Sequence, residues 1–438
     1  MVLRIQQSLK NINYKLFVAL LVLGIVPTIY TTVRVFFLGQ LPGEWAFSIA
    51  GQLSWVNLFY EVLQEAIILP LFHFIGDVNG NKNEFSNRIR TGMILSLGMY
   101  AALSMLVFIF AKPLLQLMAA DDSIIGASAS YIRIESIANV FGILTQFVLV
   151  TLVMIGKSQY LYALTGAKLV LCLVCDTFLV SELPMSMNLG VNGIGYSNII
   201  VNVLLLVVSL VLLNKEQICV FSGAKLRFSW MKEYIRSGGI SGLESLVRNV
   251  AYMVMIARMV NVVGEQGTYW VANNFIWGWL LLPVLQLGEL IKREVADDRE
   301  NIRRNSIGYF TITGIIVILW FVSMPAWEMF MKMVLGIAEP HKILSLARLL
   351  VGFYVFYAIQ NVFDATFYGM GKTEYMLFES VVTNSIYYGI AFVLYVTGVW
   401  VPTLTGIDWM FGLGNVFDSV VSLGAYVVFL KREKIVYR

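Results

Sequence analysis

The chain has 438 residues, 58% of them hydrophobic and 13% charged, with a mean hydropathy of +0.76 and a formal net charge of +4. Soluble domains carry roughly 25% charged residues, so the composition excludes a soluble globular protein and points to a polytopic membrane protein, for which length does not set the domain count. The small positive charge is no nucleic-acid signal, and no polar stretch is long enough for a catalytic domain, so no enzyme is expected.

The leader MVLRIQQSLKNINYK is polar and basic and lacks the apolar core and small-residue cleavage site of a signal peptide. About 20 mostly apolar residues make a span. In chain order the hydropathy predicts twelve: 15–39, 46–75, 91–112, 127–155, 160–181, 189–213, 237–262, 268–292, 306–325, 343–370, 375–400 and 404–430. Pro27 and Pro70 fall inside the first two, where a proline removes a backbone hydrogen bond and tends to kink the helix. With the N-terminus inside, 22 of the 31 Lys and Arg residues fall in cytoplasmic segments, against three (Lys112, Lys332 and Lys342) on the other side. That bias orients the chain with both termini cytoplasmic.

Six spans, a basic loop and six more spans suggest a duplication. A shift of 215 residues lays MIGKSQY (154–160) on GMGKTEY (369–375), matching Gly156 with Gly371, Lys157 with Lys372 and Tyr160 with Tyr375. The same register pairs Met118 with Met333, Arg133 with Arg348 and Thr151 with Thr366. An even number of spans per half makes the repeats parallel. The expected architecture is therefore all-α, twelve transmembrane helices in two six-helix lobes related by pseudo-two-fold symmetry. The N-lobe is 1–219, the linker 220–236 and the C-lobe 237–438.

Several motifs invite other readings. GKS (156–158) and GKT (371–373) end like P-loops, but Thr151 and Thr366 stand where the loop needs glycine, so tight turns between helices are expected. Cys172 and Cys175 form C-x-x-C inside an apolar helix, where they read as small packing residues. His73 and His341 are far apart in sequence, with no Cys nearby. No metal site or organic cofactor is expected. Trp45, Trp230, Trp327 and Trp400 fall at span ends as interfacial anchors do, and Trp277 and Trp279 are mid-span, read as packing before substrate stacking.

The order and spacing of four stretches carry a family resemblance: VRVFFLGQLPGEWAFSIAG (33–51), FIGDVNGNKNEFSNRIRTG (74–92), YIRSGGISGLESL (234–246) and FYGMGKTEY (367–375). The chain resembles the multidrug and toxic compound extrusion (MATE) family, whose superfamily also holds flippases for lipid-linked sugars. The resemblance implies a MATE-like fold, an antiporter exporting a small organic molecule by alternating access, coupling to H+ or Na+, and a prokaryotic inner-membrane setting. Its implied partners are the bilayer and a small-molecule substrate, and a monomer is expected. The departures matter. Arg34 stands where the family commonly has an aspartate tied to coupling. Arg248 stands where sodium-coupled members have a glutamate, and Ile240 takes the place of the family's proline.

Charges inside a bilayer are functional-site hypotheses by default. Glu61 and Glu65, four apart in LFYEVLQEAIILPLFHFI, share a helix face. Glu65 and Arg248 both fall roughly 15 Å into their spans, near the midplane. Two readings stand. Glu61 and Glu65 hold helices together within a lobe, or they line a central cavity with Arg248 and a substrate. Glu244 sits four before Arg248 and competes for it as an intrahelical partner. Arg34, Asp176 and Asp364 complete the candidate set, and Arg133 with Glu135 is expected to form a local pair. The alternatives to an antiporter are a flippase-like transporter of an anionic or lipid-linked substrate, drawn by Arg34, Arg248 and Arg258, and a non-transporting scaffold or receptor.

Overall fold

A computed structural model of the chain describes residues 2–41, 45–76, 82–218 and 225–435. Cys219, the polar turn at 77–81, the linker residues 220–224 and the side chains of His73 and Ile240 lie outside the described residues. All regular elements among those described are helical. The leader forms α1 (Val2–Asn11). Then come α2 (Tyr14–Gln40), α3 (Ala46–Gly76), α4 (Lys82–Leu117), α5 (Asp122–Met154), α6 (Ser158–Leu179) and α7 (Val191–Lys215). In the second half, α8 (Met231–Tyr252) continues through a π-turn (Met253–Ala257) into α9 (Arg258–Val262). α10 (Gln266–Phe275), with its own π-turn (Ile276–Leu280), leads into α11 (Leu282–Asp297). The rest are α12 (Asn301–Ser323), α13 (Trp327–Met333), α14 (His341–Gly369), α15 (Thr373–Val382) with a π-turn (Thr383–Tyr388) and α16 (Gly389–Val396), and α17 (Leu404–Arg432).

Ten of these helical runs are long and apolar enough to cross a bilayer, and Gln266–Leu280 with Leu282–Asp297 makes an eleventh. The remaining expected span is α3, a continuous helix of 31 residues that carries both glutamates. The span read as 268–292 bends by 51°. Its second arm starts with proline at the first turn, where the missing N–H costs no helical bond and a new helix direction is easily begun. Pro27 and Pro70 sit inside the continuous helices α2 and α3.

The helices fall into two compact units, Val33–Gly267, and Met1–Thr32 with Thr268–Arg438. These units do not follow the sequence halves. α8, the first helix of the second half, packs on α3. The reason is visible in SGGISG. A Cβ on Gly238 would lie 1.9 Å from the Ala66 carbonyl oxygen, and one on Gly242 would lie 2.8 Å from the Ala66 methyl. Small residues four apart let two membrane helices approach closely, where packing rather than the hydrophobic effect holds them. Within this unit α5 is central, packed on α3, α4 and α7, with α6 against α7. Trp55, Leu71, Ile89, Phe147 and Tyr234 are among its fully enclosed side chains. In the other unit α14 packs on α11 and α17, and α1 lies on α12, where Ser8 Oγ accepts from the Gly308 N–H at 2.8 Å.

The repeat is written in the backbone of the two GK turns. Gly156 and Gly371 both adopt the left-handed region (φ +78° and +66°), which glycine enters without Cβ strain. Their N–H groups bond Val153 and Tyr368 carbonyls at 3.0 Å each. The lysines after them cap the next helices at matching angles, φ −98° and ψ 43° for Lys157, φ −102° and ψ 51° for Lys372. Lys157 then pairs with Glu216 at the C-cap of α7 (3.1 Å), and Lys372 with Glu433 at the C-cap of α17 (3.7 Å). These are interhelical turns, as the missing P-loop glycines required.

Candidate functional site

The close approach of α8 to α3 decides the first site. From Gly242, Arg248 is less than two turns along α8, and it meets α3 where Glu61 and Glu65 emerge one turn apart. Arg248 Nη2 donates to Glu65 Oε1 at 2.9 Å and to Glu61 Oε1 at 3.1 Å, while Nη1 donates to Glu244 Oε1 at 3.0 Å. The two expected pairings of Arg248, along its own helix and to the other sequence half, are therefore both made. A guanidinium carries five donors in a fork, which allows this. Asn249 Nδ2 bonds the Leu58 carbonyl at 3.2 Å, and Tyr234 donates its hydroxyl to the Ile67 carbonyl, fixing the register of α8 on α3.

The cluster is graded in exposure. Glu244 and Glu65 are 11% and 18% exposed, Arg248 and Glu61 37% and 44%. Three carboxylates around one guanidinium leave a formal excess of two negative charges when all are ionised. Glu61 and Glu65 are also like charges one helical turn apart, which destabilises the pair in the absence of a cation. The arrangement is acidic and partly open, with the Arg248 guanidinium as its own cation.

Arg34 and Asp176 form a second, closed site in the same unit. Arg34 Nε lies 2.7 Å from Asp176 Oδ2, with side-chain exposures of 11% and 0%. Arg34 Nη2 donates to Asn198 Oδ1 at 2.7 Å, and Asn198 Nδ2 donates to Glu135 Oε1 at 2.7 Å. The ion pair of Arg34 is thus made with α6. The expected Arg133–Glu135 pair is corrected here. Arg133 Nε bonds the Phe108 carbonyl at 3.0 Å and its guanidinium lies over the Phe108 ring, while Glu135 is 3% exposed and turned to Asn198. Residues two apart on a helix do not face each other. The buried pair costs desolvation that its Coulomb attraction and hydrogen bonds must offset; the second carboxylate and Asn198 complete that shell.

Asp364 lies in the other unit with two residues that the sequence reading passed over. Ser422 Oγ donates to Asp364 Oδ1 at 3.0 Å. Asp418 accepts from Gln360 Nε2 at 2.7 Å and from Thr383 Oγ1 at 2.6 Å. Glu379, on α15, is 3% exposed, and its Oε1 is buried without a hydrogen-bond partner. The signal for Glu379 and Asp418 was present, since each is an ionisable residue within an apolar span.

The remaining expectations sort simply. Cys172 and Cys175 are free thiols on α6. Trp277, 37% exposed, donates to the Tyr354 hydroxyl at 3.1 Å and Trp279 to Thr32 Oγ1 at 3.1 Å, so both indole N–H groups are satisfied. Trp230 is 6% exposed and donates to Thr91 Oγ1. Arg258 Nε donates to the Leu117 carbonyl at 3.1 Å. Among the described residues no group of three or more His, Cys, Asp or Glu side chains is arranged to hold a metal ion.

Residues 19–178 match the family model MatE. Three solved structures place the whole architecture. An inward-facing multidrug resistance MATE family transporter of the MOP superfamily superposes with TM-score 0.74 at 18% identity, covering 93% of this chain and 96% of its own. The protein carries a MatE domain on a MATE-transporter fold. A mutant of the Vibrio cholerae MATE transporter VcmN aligns with TM-score 0.69 at 15% identity over 98% of this chain and 97% of its own. A MOP superfamily transporter from Pyrococcus furiosus, described by its reversed binding-pocket polarity and a suggested different function, aligns with TM-score 0.63 at 17% identity over 98% of each chain. No curated protein sequence matches this chain significantly.

Proposed function

We propose that this MATE-fold protein is a secondary active transporter of the cytoplasmic membrane, with both termini cytoplasmic, that exports a small organic cation by alternating access in exchange for H+ or Na+. The lobes that rock would be 1–219 and 237–438, linked by 220–236. The observation that carries the reading is the half-open cluster of Glu61, Glu65 and Glu244 around Arg248. An organic cation reaching Glu61 competes with Arg248 for the carboxylates, and protonation of Glu61 or Glu65 weakens the hold of α3 on Arg248. Either event changes the contact between α3 and α8, which come from opposite halves of the sequence. Substrate binding and ion binding then act on one two-state contact, which is what coupling requires.

A second reading has its own observation. Arg248 supplies a cation in the same cluster, and the Pyrococcus furiosus relative is described by reversed pocket polarity. On that reading the substrate is anionic or lipid-linked and binds the guanidinium. The excess of carboxylates in the cluster favours the cation.

The deciding experiment is ligand-induced thermal stabilisation of the purified protein, since ligand binding to the native state raises apparent stability by mass action. Organic cations are expected to stabilise the wild type and to lose at least tenfold in affinity in Glu65→Gln. Stabilisation by anionic amphiphiles that vanishes in Arg248→Ala establishes the second reading instead.

A further inference from the structure

The last two spans of each repeat cross in different ways. In the first repeat α6 lies against α7, and the fit depends on Gly193: a Cβ there would lie 2.6 Å from the Leu179 carbonyl oxygen. A shift of 216 residues lays LGVNGIG (189–195) on TGIDWMF (405–411), matching Gly190 with Gly406 and setting Trp409 opposite Gly193. A tryptophan cannot enter so close a contact. Its ring is braced instead on Phe353 of α14, with 5.3 Å between centroids. The helix facing it carries the π-turn Thr383–Tyr388, where α6 is regular throughout. Every residue of α16 is at least partly exposed, whereas α6 buries Leu164, Cys172, Asp176 and Leu179.

Between α17 and the run from the π-turn into α16 this leaves an open groove of about 430 Å³, within the range of ligand pockets, roughly 300–1,000 Å³. Ile386, Ile390 and Leu394 form one wall, and Trp409, Leu413 and Phe417 the other. Ile390 is 58% exposed and Trp409 48%. Tyr387 ties the walls together, its hydroxyl donating to the Met410 carbonyl at 2.7 Å and its ring 5.6 Å from that of Phe417. Trp400 lines the end nearest the 397–403 turn, with its ring 6.4 Å from that of Tyr395. Both walls belong to helical runs, Thr373–Val396 and Leu404–Arg432, that are long and apolar enough to cross a bilayer.

We propose that this groove binds one acyl chain of a phospholipid, inserted from the leaflet at the 397–403 end. Length, width and chemistry select that occupant. From Gly406 to Phe417 the groove follows α17 for roughly 16 Å, and half a hydrocarbon core is about 15 Å, so it reaches from the interface to the middle of the bilayer. Trp400 stands at the interfacial end, where tryptophan is enriched. Spread over that length, the volume leaves a bore about 6 Å across, against about 10 Å for a helix. A polymethylene chain enters such a bore, and a helix of a second copy does not. The hydrogen-bonding groups on the lining side chains are two indole N–H groups and the Tyr387 hydroxyl, which already donates. A charged molecule would lose its hydration there without replacement, and a lipid tail has none to lose. The chain fills the place that the Gly193 contact fills in the first repeat, and so joins α16 to α17 through lipid. With both termini cytoplasmic, as proposed above, the donor leaflet is the outer one. The site and its test involve no transported substrate.

The test is native mass spectrometry of the purified full-length protein, paired with quenching of tryptophan fluorescence by phospholipids brominated at set positions on the acyl chain. The wild type is expected to retain one phospholipid per chain. Ala391→Phe puts a ring into the groove that Ala391 lines and should retain at least tenfold less. In detergent, quenching of Trp409 should saturate at one brominated lipid per chain. Bromine near the headgroup end should quench Trp400 most, and bromine further along the chain Trp409 most, each read as the difference between the wild type and Trp400→Phe or Trp409→Phe. A wild type that retains no lipid, or as little as Ala391→Phe, overturns the proposal. Trp409 quenching that rises with lipid and never saturates does the same, since that is ordinary boundary contact. A retained organic molecule that is not a lipid, or a dimer lost in Ala391→Phe, gives the groove to another occupant. Should Ala391→Phe fail to fold, the quenching measurements need only the two tryptophan variants and decide alone.

Discussion

The two sequence repeats treat buried acid in opposite ways. In the first, Asp176 and Glu135 share Arg34, directly and through Asn198, so the charge is balanced by a side chain of the protein. In the second, Asp364 and Asp418 are held by hydroxyls and an amide, Glu379 is buried, and among the described residues no Lys or Arg pairs with any of the three. A tethered guanidinium is always charged and cannot exchange with solution. A site without one must take its positive charge from outside. The contrast teaches that the first repeat carries a permanent cation of its own in Arg34, whereas the acids of the second repeat have no such partner among the described residues.

The largest effect follows from removing that permanent cation. Arg34→Ala strands a fully buried Asp176 and should destabilise the protein by about 3–5 kcal/mol, read as a large fall in apparent melting temperature. Adding Asp176→Asn should recover much of the loss, because the uncompensated charge goes with it. If the single and double variants melt together, Arg34 acts through packing and the contrast between the repeats fails. Added Na+ stabilising Arg34→Ala but not the wild type would sharpen it, by showing that an ion can stand where the guanidinium was.

The second repeat should respond with the opposite sign. Glu379→Leu, which restores the residue type of the first repeat, replaces a buried carboxyl with a side chain of similar volume. Leaving a polar group buried without a hydrogen bond costs roughly 1–3 kcal/mol, so removing the Glu379 carboxyl, whose Oε1 has no partner, is expected to stabilise. A stabilised variant means the acid is kept for function. A destabilised variant means the carboxyl is structural and holds α15 in place.

A smaller and symmetric effect tests whether the repeats are equivalent outside these clusters. Gly156→Ala and Gly371→Ala each place a Cβ on a left-handed residue with nothing within 4 Å of it, so the cost is conformational strain alone. Each should lose about 1 kcal/mol, with closely matching shifts in melting temperature.

Much of this fold was legible in the sequence because hydropathy marks the apolar stretches that form the long helices. The GK turns were legible because only glycine suits their left-handed residues. The bend before α11 was not, since a proline marks a helix start or a kink alike until the neighbours are known. Both partners of Arg248 were named, but the sequence could not tell that they coexist; that depends on Gly238 and Gly242 bringing α8 onto α3, a distance no spacing encodes. Glu135 was assigned to Arg133 by proximity along the chain, whereas a helix turns residues two apart to different sides. Glu379 and Asp418 lie in apolar spans with no Lys or Arg at helical spacing, so nothing in the sequence joins them to Asp364.

The finest comparison is electrostatic. Glu216 sits where the first repeat ends, outside the membrane-spanning segments, and the Lys157 ammonium and Tyr160 hydroxyl hold its carboxyl below the usual glutamate range. Tyr160 donates to Glu216 Oε1 at 3.0 Å. In the second repeat Glu433 keeps the lysine partner but replaces the tyrosine contact with Arg299, at 2.6 Å. Because the folded-state value for Glu216 is depressed, its contribution is fully present above about pH 4.5 and fades as pH falls through the lower folded value. Lys157→Met removes the first cause of that depression, so the variant should match the wild type at low pH and fall slightly behind it at neutral pH, the gap closing in high salt. A gap that is instead constant across the acid range places the role of Lys157 in the geometry of the turn, where its backbone already caps α6.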